Sequence, residues 1–158
     1  MIVGGIDVVT LISMLMVAST PVLLAATGEL VAEKSGVLNL GVEGMMIVGA
    51  VAGFAAAVTT GSPVLGFVGG ALAGAAMAAL FALLTQVFLS NQTATGLALT
   101  LFGLGLSALV GKPFEGVRPP PTGKVPFGPL SDIPVLGRIL FSHDWVVYLS
   151  LALVAAVW

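Results

Sequence analysis

The sequence predicts an all-α polytopic transmembrane helical bundle with discontinuous helices, and three observations point there. The chain of 158 residues is 58% hydrophobic and only 8% charged, against about 25% charged in an ordinary soluble domain. Its mean hydropathy is +1.17. Several apolar stretches are long enough to approach a bilayer's thickness, and two of the junctions between them carry polar and glycine-rich residues where lipid offers no partner for loose backbone. The same composition excludes other classes. With no Cys and one His, disulfide frameworks, thiolate chemistry and histidine-based metal sites are ruled out, so neither a metal nor a cofactor is expected. A net charge of −2 with scattered Lys and Arg gives no nucleic-acid surface.

The first span runs from about Ile6 to Ala32, with Asp7 as its N-cap and Pro21 as a kink. At 1.5 Å per residue it extends roughly 40 Å, beyond the roughly 30 Å hydrocarbon core, so it must tilt, bend or end early. No Lys or Arg precedes Lys34, which argues for a retained helix over a cleaved signal. A break over Ser35–Gly44 follows, with Gly36, Gly41 and Gly44 forming its turn and Asn39 among them. Met45 to Thr60 is then a short helix, marginal for a crossing. Gly61-Ser62-Pro63 turns the chain into an uninterrupted third span to about Leu89, with Pro63 starting the helix. Gly66, Gly70 and Gly74 recur every four residues, and Gly49 with Gly53 repeats the spacing, which predicts close helix packing.

Ser90-Asn91-Gln92-Thr93 forms a second polar interruption before a fourth span, about Ala94 to Val110, where Gly103, Ser107 and Gly111 make another small face. Lys112 to Asp144 holds seven of the nine prolines and seven of the twelve charged residues, and reads as an aqueous loop. Pro119–Pro121 favours an extended course within it, and Leu130–Phe141 an amphipathic path along the membrane surface. Ser142 or Asp144 is placed to cap a last helix, with Trp145 and Tyr148 at interfacial depth. Trp145–Trp158 is too short to cross, which predicts a truncated chain. Residues 1–158 are accordingly read as a single transmembrane domain, with an aqueous loop at about 112–144.

Polar residues inside the membrane mark candidate pathways. The substrate-pathway candidates are Asn39, Glu43, Asn91 and Gln92. Glu29 and Glu33 share a helix face at i, i+4, and ending a helix near water explains them better than direct chemistry. Glu43 at the start of a helix favours the dipole. His143 reads as a loop residue. An intramembrane enzyme needs a nucleophile or metal, and no GxGD, GxSxG or HExxH pattern occurs, so no catalytic residue is assigned. A purely structural scaffold has no need of two polar breaks.

GELVAEKSGVLNLGVEGMM (Gly28–Met46), NQTATGLALTLFGLGLSALVG (Asn91–Gly111) and PLSDIPVLGRILF (Pro129–Phe141) together resemble the membrane subunits of bacterial ABC importers for nucleosides and simple sugars, especially the shorter nucleoside permease. The resemblance implies import of nucleosides across the bacterial inner membrane; a sugar or branched-chain amino-acid permease is the alternative. It also implies a second permease subunit, a cytoplasmic ATP-binding subunit and an extracytoplasmic substrate-binding lipoprotein as partners, with membrane lipid around them. Members of that family are about twice as long, so the chain looks like an N-terminal half, and the loop that docks on the ATPase lies in the other half. The resemblance places Lys112–Asp144 outside and Lys34 and Asn91 near the cytoplasm. The positive-inside rule, counting Lys112, Arg118, Lys124 and Arg138 against Lys34, points the other way. The orientation implied by the resemblance is followed.

Overall fold

The computed structural model describes residues 2–3, 6–123, 125 and 139–158. The expected surface course of Leu130–Phe141 therefore lies outside the described residues up to residue 138, as does most of the loop's second half. Five helices are formed among the described residues: α1 (Val8–Lys34), α2 (Val42–Thr60), α3 (Pro63–Ala82), α4 (Gln92–Gly111) and α5 (Trp145–Val157). A π-helical turn (Leu83–Val87) extends α3 and a 3-10 turn (Lys112–Phe114) extends α4. Val8–Lys34, Val42–Thr60, Pro63–Val87 and Gln92–Phe114 are long and apolar enough to cross a membrane. The helical class expected from composition is the class observed.

The chain divides into two compact units, Met1–Val31 with Thr122–Trp158, and Ala32–Pro121. In the first, a two-residue antiparallel pairing of Ile2–Val3 with Ile6–Asp7 precedes α1. The Asp7 carboxylate caps the helix, accepting from Val9 N at 3.3 Å and Thr10 Oγ1 at 2.8 Å. α1 continues through Pro21. Proline cannot donate to the carbonyl four residues back, and just before it the hydroxyls of Ser19 and Thr20 both turn onto the Met16 carbonyl, at 3.1 and 2.9 Å. At the other end of this unit Asp144 occupies the N-cap position of α5, but its side chain makes no capping bond, contrary to expectation. The end is organised differently. Tyr148 donates to Leu140 O at 2.8 Å and accepts from His143 N at 3.4 Å, while His143 Nε2 lies 2.8 Å from Ile139 O. His143 stands in the bend before α5, as its loop assignment implies, yet it is buried.

In the second unit α2 is central, packing against both α3 and α4, which touch each other little. The turn between α2 and α3 follows its residue types: Gly61 takes φ +68°, Ser62 Oγ accepts from Leu65 N at 3.4 Å, and Pro63 opens the helix. Without a hydrophobic drive between helices in lipid, association depends on close backbone approach. A Cβ on Gly70 would stand 2.9 Å from Gly49 O, and one on Gly66 2.9 Å from Gly53 O, so the two glycine series face each other across α2 and α3. Gly74 is different: a Cβ there meets nothing within 4 Å. The α2–α4 contact is tighter still, with Gly44 and Gly103 back to back, each leaving only 2.6 Å between a virtual Cβ and a backbone oxygen of the opposite helix. Met45, Met77, Phe81 and Leu99 fill the centre, with Val37 and Val48 against them.

Candidate functional site

The first break is built from α1 outward. Val37 N bonds Ala32 O at 3.1 Å and Gly36 N bonds Glu33 O at 2.9 Å, the paired 6→1 and 5→2 bonds of a Schellman cap. That cap needs a left-handed residue, and Gly36 supplies it at φ +80°. The chain leaves helix at Lys34 and re-enters at Val42, so the break is shorter than expected and Gly44 lies inside α2. The earlier start has a local cause. Asn39 Oδ1 accepts from Gly41 N at 3.0 Å, an Asx-turn, and Gly41 O receives Met45 N at 3.1 Å. α2 thus gains a turn and reaches 19 residues, about 28 Å, close to a full crossing.

The start of α4 is brought against this break. Gln92 Oε1 accepts from Leu38 N at 2.8 Å, and Thr100 Oγ1 donates to Leu40 O at 3.1 Å. Between them Gly96 lets the backbones close, since a Cβ there would lie 2.9 Å from both Leu40 N and Gly41 N. The Gln92 side chain makes no other hydrogen bond among the described residues, which leaves two amide N–H donors for a further acceptor.

The remaining candidates have other placements. Asn91 Oδ1 caps α4 by accepting from Ala94 N at 3.0 Å. Asn39 is engaged at both ends of its amide, with Nδ2 3.5 Å from Met45 Sδ. Glu43 stands exposed on the first turn of α2, where its charge complements the dipole. The structure therefore brings Asn39 and Gln92 to one short segment and leaves Asn91 and Glu43 on helix starts beside it. An open apolar pocket of about 320 Å³ lined by Ala50, Val51, Phe54, Gly111, Phe114 and Glu115 lies at the far end of α4. Its lining carries no amide or hydroxyl side chain, so it does not match the polar candidates.

Two features were missed by reading the sequence. Gly96 and Thr100 lie in the middle of what reads as an unbroken apolar span; their signal was the four-residue spacing from Gln92. The π-turn at the end of α3 had none. There Leu89 adopts φ +53°, a conformation normally left to glycine. Ser90 then closes the end with N and Oγ both on Leu84 O, at 3.0 and 2.8 Å.

Comparison with known proteins follows from this architecture. A putative glucose ABC transporter permease protein of Haloferax volcanii is 42% identical over 145 residues, covering 89% of this chain and 44% of that protein. A guanosine ABC transporter permease protein of Bacillus subtilis is 32% identical over 164 residues, covering 94% of this chain and 51% of that protein. A nucleoside ABC transporter permease protein of Lactococcus lactis is 28% identical over 145 residues, covering 84% and 45%. The chain spans about half the length of these relatives. No solved structure matches it. Residues 11–158 match the family described as branched-chain amino acid transport system / permease component, and the chain, with four helices of membrane-crossing length among the described residues, belongs to that family of multi-pass membrane permeases.

Proposed function

We propose that this chain forms part of the permease of an ABC importer for nucleosides in the bacterial inner membrane. The observation that carries the reading is the polar break Ser35–Gly41, held against the start of α4 in a chain that belongs to a permease family. Non-helical backbone at membrane depth is tolerated where it is enclosed by protein or lines a water-filled cavity, and transporters build substrate sites at such breaks. Nucleosides are uncharged and rich in acceptors. The free amide donors of Gln92, with Asn39, Asn91 and the charged Glu43 around the break, suit a pathway that hydrogen-bonds such a solute. The chain is not an enzyme in this reading: it has no GxxxxGK[ST] loop to hold ATP phosphates. Hydrolysis belongs to a cytoplasmic ATP-binding subunit, delivery to an extracytoplasmic binding lipoprotein, and the rest of the pathway to a second permease subunit.

A sugar substrate is the second reading, favoured by the 42% identity to a protein named as a putative glucose permease. Uptake of labelled guanosine by the complete transporter in cells separates the two. Competition by unlabelled nucleosides and not by glucose is the expected result. Glucose uptake that guanosine does not compete with establishes the sugar reading, and uptake of neither by an assembled complex overturns both.

A further inference from the structure

Gln92, Gly96 and Thr100 stand at i, i+4 and i+8, on one face of α4. Each meets the backbone of the same four-residue segment, Leu38–Gly41. Gln92 takes the Leu38 N–H at 2.8 Å, Gly96 supplies the gap, and Thr100 gives its hydroxyl proton to Leu40 O at 3.1 Å. α4 thus satisfies a backbone donor and a backbone acceptor of the segment at once.

Thr100 is set apart by what its hydroxyl does. Thr20, Thr27, Thr60 and Thr85 all return their hydroxyls to carbonyls four residues back in their own helices, at 2.6 to 2.9 Å. That local bond is the ordinary way to satisfy a hydroxyl in an apolar helix. Thr100 instead reaches an element 60 residues earlier in the chain. A donor in an apolar helix and an acceptor in a broken one thereby satisfy each other.

We propose that Gln92, Gly96 and Thr100 are positioning residues, a face of α4 that holds the Leu38–Gly41 break in the shape transport requires and acts on the solute through that backbone. This rests on the transport reading given above. It differs from a role as substrate contacts in what it forecasts for affinity. Losing a positioning bond lets the segment leave α4 more often, which lowers the rate of turnover, whereas losing a substrate contact raises KM.

The test uses the complete transporter carrying Leu38→Cys, with any cysteine outside these 158 residues replaced, since these residues contain none. Because the contacts are to backbone, that side chain is free to change. Against this background Thr100→Val removes the donor at nearly constant shape, Thr100→Ser restores it, and Gln92→Leu breaks the other end without touching Thr100. The expected result is a rise of about 3- to 10-fold in the rate at which a water-soluble maleimide labels position 38 with Thr100→Val and with Gln92→Leu, the ratio that one hydrogen bond supports. Thr100→Ser returns labelling to the starting rate, and in Thr100→Val maximal uptake falls while KM holds. Unchanged labelling in both variants, at normal assembly, overturns the proposal, as does a raised KM without raised labelling in Thr100→Val. If the parent complex transports neither guanosine nor glucose, the function reading fails while the labelling rates still decide the positioning role.

Discussion

The two polar interruptions of the second unit end their helices by opposite means. After α1 the chain turns at Gly36, where a positive φ carries no steric penalty, and Asn39 and Gly41 start the next helix within a few residues. After α3 the helix first widens into a π-turn and then turns at Leu89, a bulky residue at φ +53° that glycine would occupy without strain. The left-handed conformation costs a residue of this kind about 1–2 kcal/mol. Ser90 offsets part of it by bonding Leu84 O twice and Thr95 Oγ1 at 2.8 Å. The first break is relaxed in its backbone and held in place from outside by α4. The second is strained in its backbone and closed by its own residues. A strained, locally closed end and a relaxed, externally docked one respond differently to substitution, and that difference can be measured.

The largest effect is expected where docking depends on absent side chains. Gly103→Ala puts a Cβ 2.6 Å from Gly44 O and 2.7 Å from Gly44 Cα, backbone that cannot swing aside. The thermal unfolding of the purified permease should shift as for a loss of about 1–3 kcal/mol, the usual range for overpacking. Gly105→Ala, on the same helix with open space around it, should be neutral or slightly stabilising. Equal effects at both positions remove the close α2–α4 approach as the basis of docking.

Opposite signs are expected at the two turns. Gly36→Ala meets no neighbour within 4 Å, so any destabilisation reports φ alone, about 1 kcal/mol. Leu89→Gly should relieve strain, and the gain is largest in a membrane-free detergent melt if Leu89 contacts little. A loss of stability at Leu89→Gly means that the side chain is held by something that outweighs the strain.

Asn39→Leu distinguishes a turn residue from a pathway residue. Loss of the Asx-turn bond to Gly41 N lowers the amount of assembled protein, by about 0.5–1.5 kcal/mol in stability. Uptake normalised to assembled complex stays near the parent value if the amide serves only the turn. Normalised uptake that collapses at normal abundance makes Asn39 a pathway residue.

Orientation bears on whether the two interruptions share a side of the membrane. In the proposed topology single cysteines replacing Ser35 or Leu89 label with an impermeant maleimide only after permeabilisation, and one replacing Gly123 labels in intact cells. The reverse pattern vindicates the count of loop cations.

The smallest effect compares two helix starts, Asn91 before α4 and Asp7 before α1. The hydrogen bond from Thr10, first among its causes, holds the Asp7 carboxyl below its ordinary value of 3.8. A lowered carboxyl contributes stability above its unfolded value and loses it as pH falls through the folded one. Asp7→Asn should therefore narrow its difference from the parent in acid, whereas Asn91→Ala costs about 1 kcal/mol at every pH. A pH-independent difference at Asp7 means that its charge plays no part in the cap.

How far the sequence carried can be judged at particular residues. Gly36 and Asn39 were legible because a residue that tolerates a left-handed turn, or that bonds its own backbone, acts within a few positions. Pro63 and Gly61 were legible for the same reason, whereas Asn91, read as part of a polar interruption, caps α4. Asp144 shows the limit: it has the right type and place for a cap, but the Tyr148 and His143 contacts set the local backbone and the carboxylate makes no capping bond. Gly44 was placed in the break although it lies in α2, because an Asx-turn two residues long moves a helix start by more than composition reveals.

Apolar composition and glycine spacing by themselves determined that this chain is a membrane helical protein and where its helices stop, since hydropathy and turn geometry are properties of short segments. Only the tertiary structure decided that Gln92, Gly96 and Thr100 meet Leu38–Gly41, and that Leu89 carries the left-handed turn. Those are agreements between segments tens of residues apart, or a backbone cost that the hydrogen bonds of Ser90 offset, and no local pattern encodes a bond whose partner lies 54 or 60 positions away.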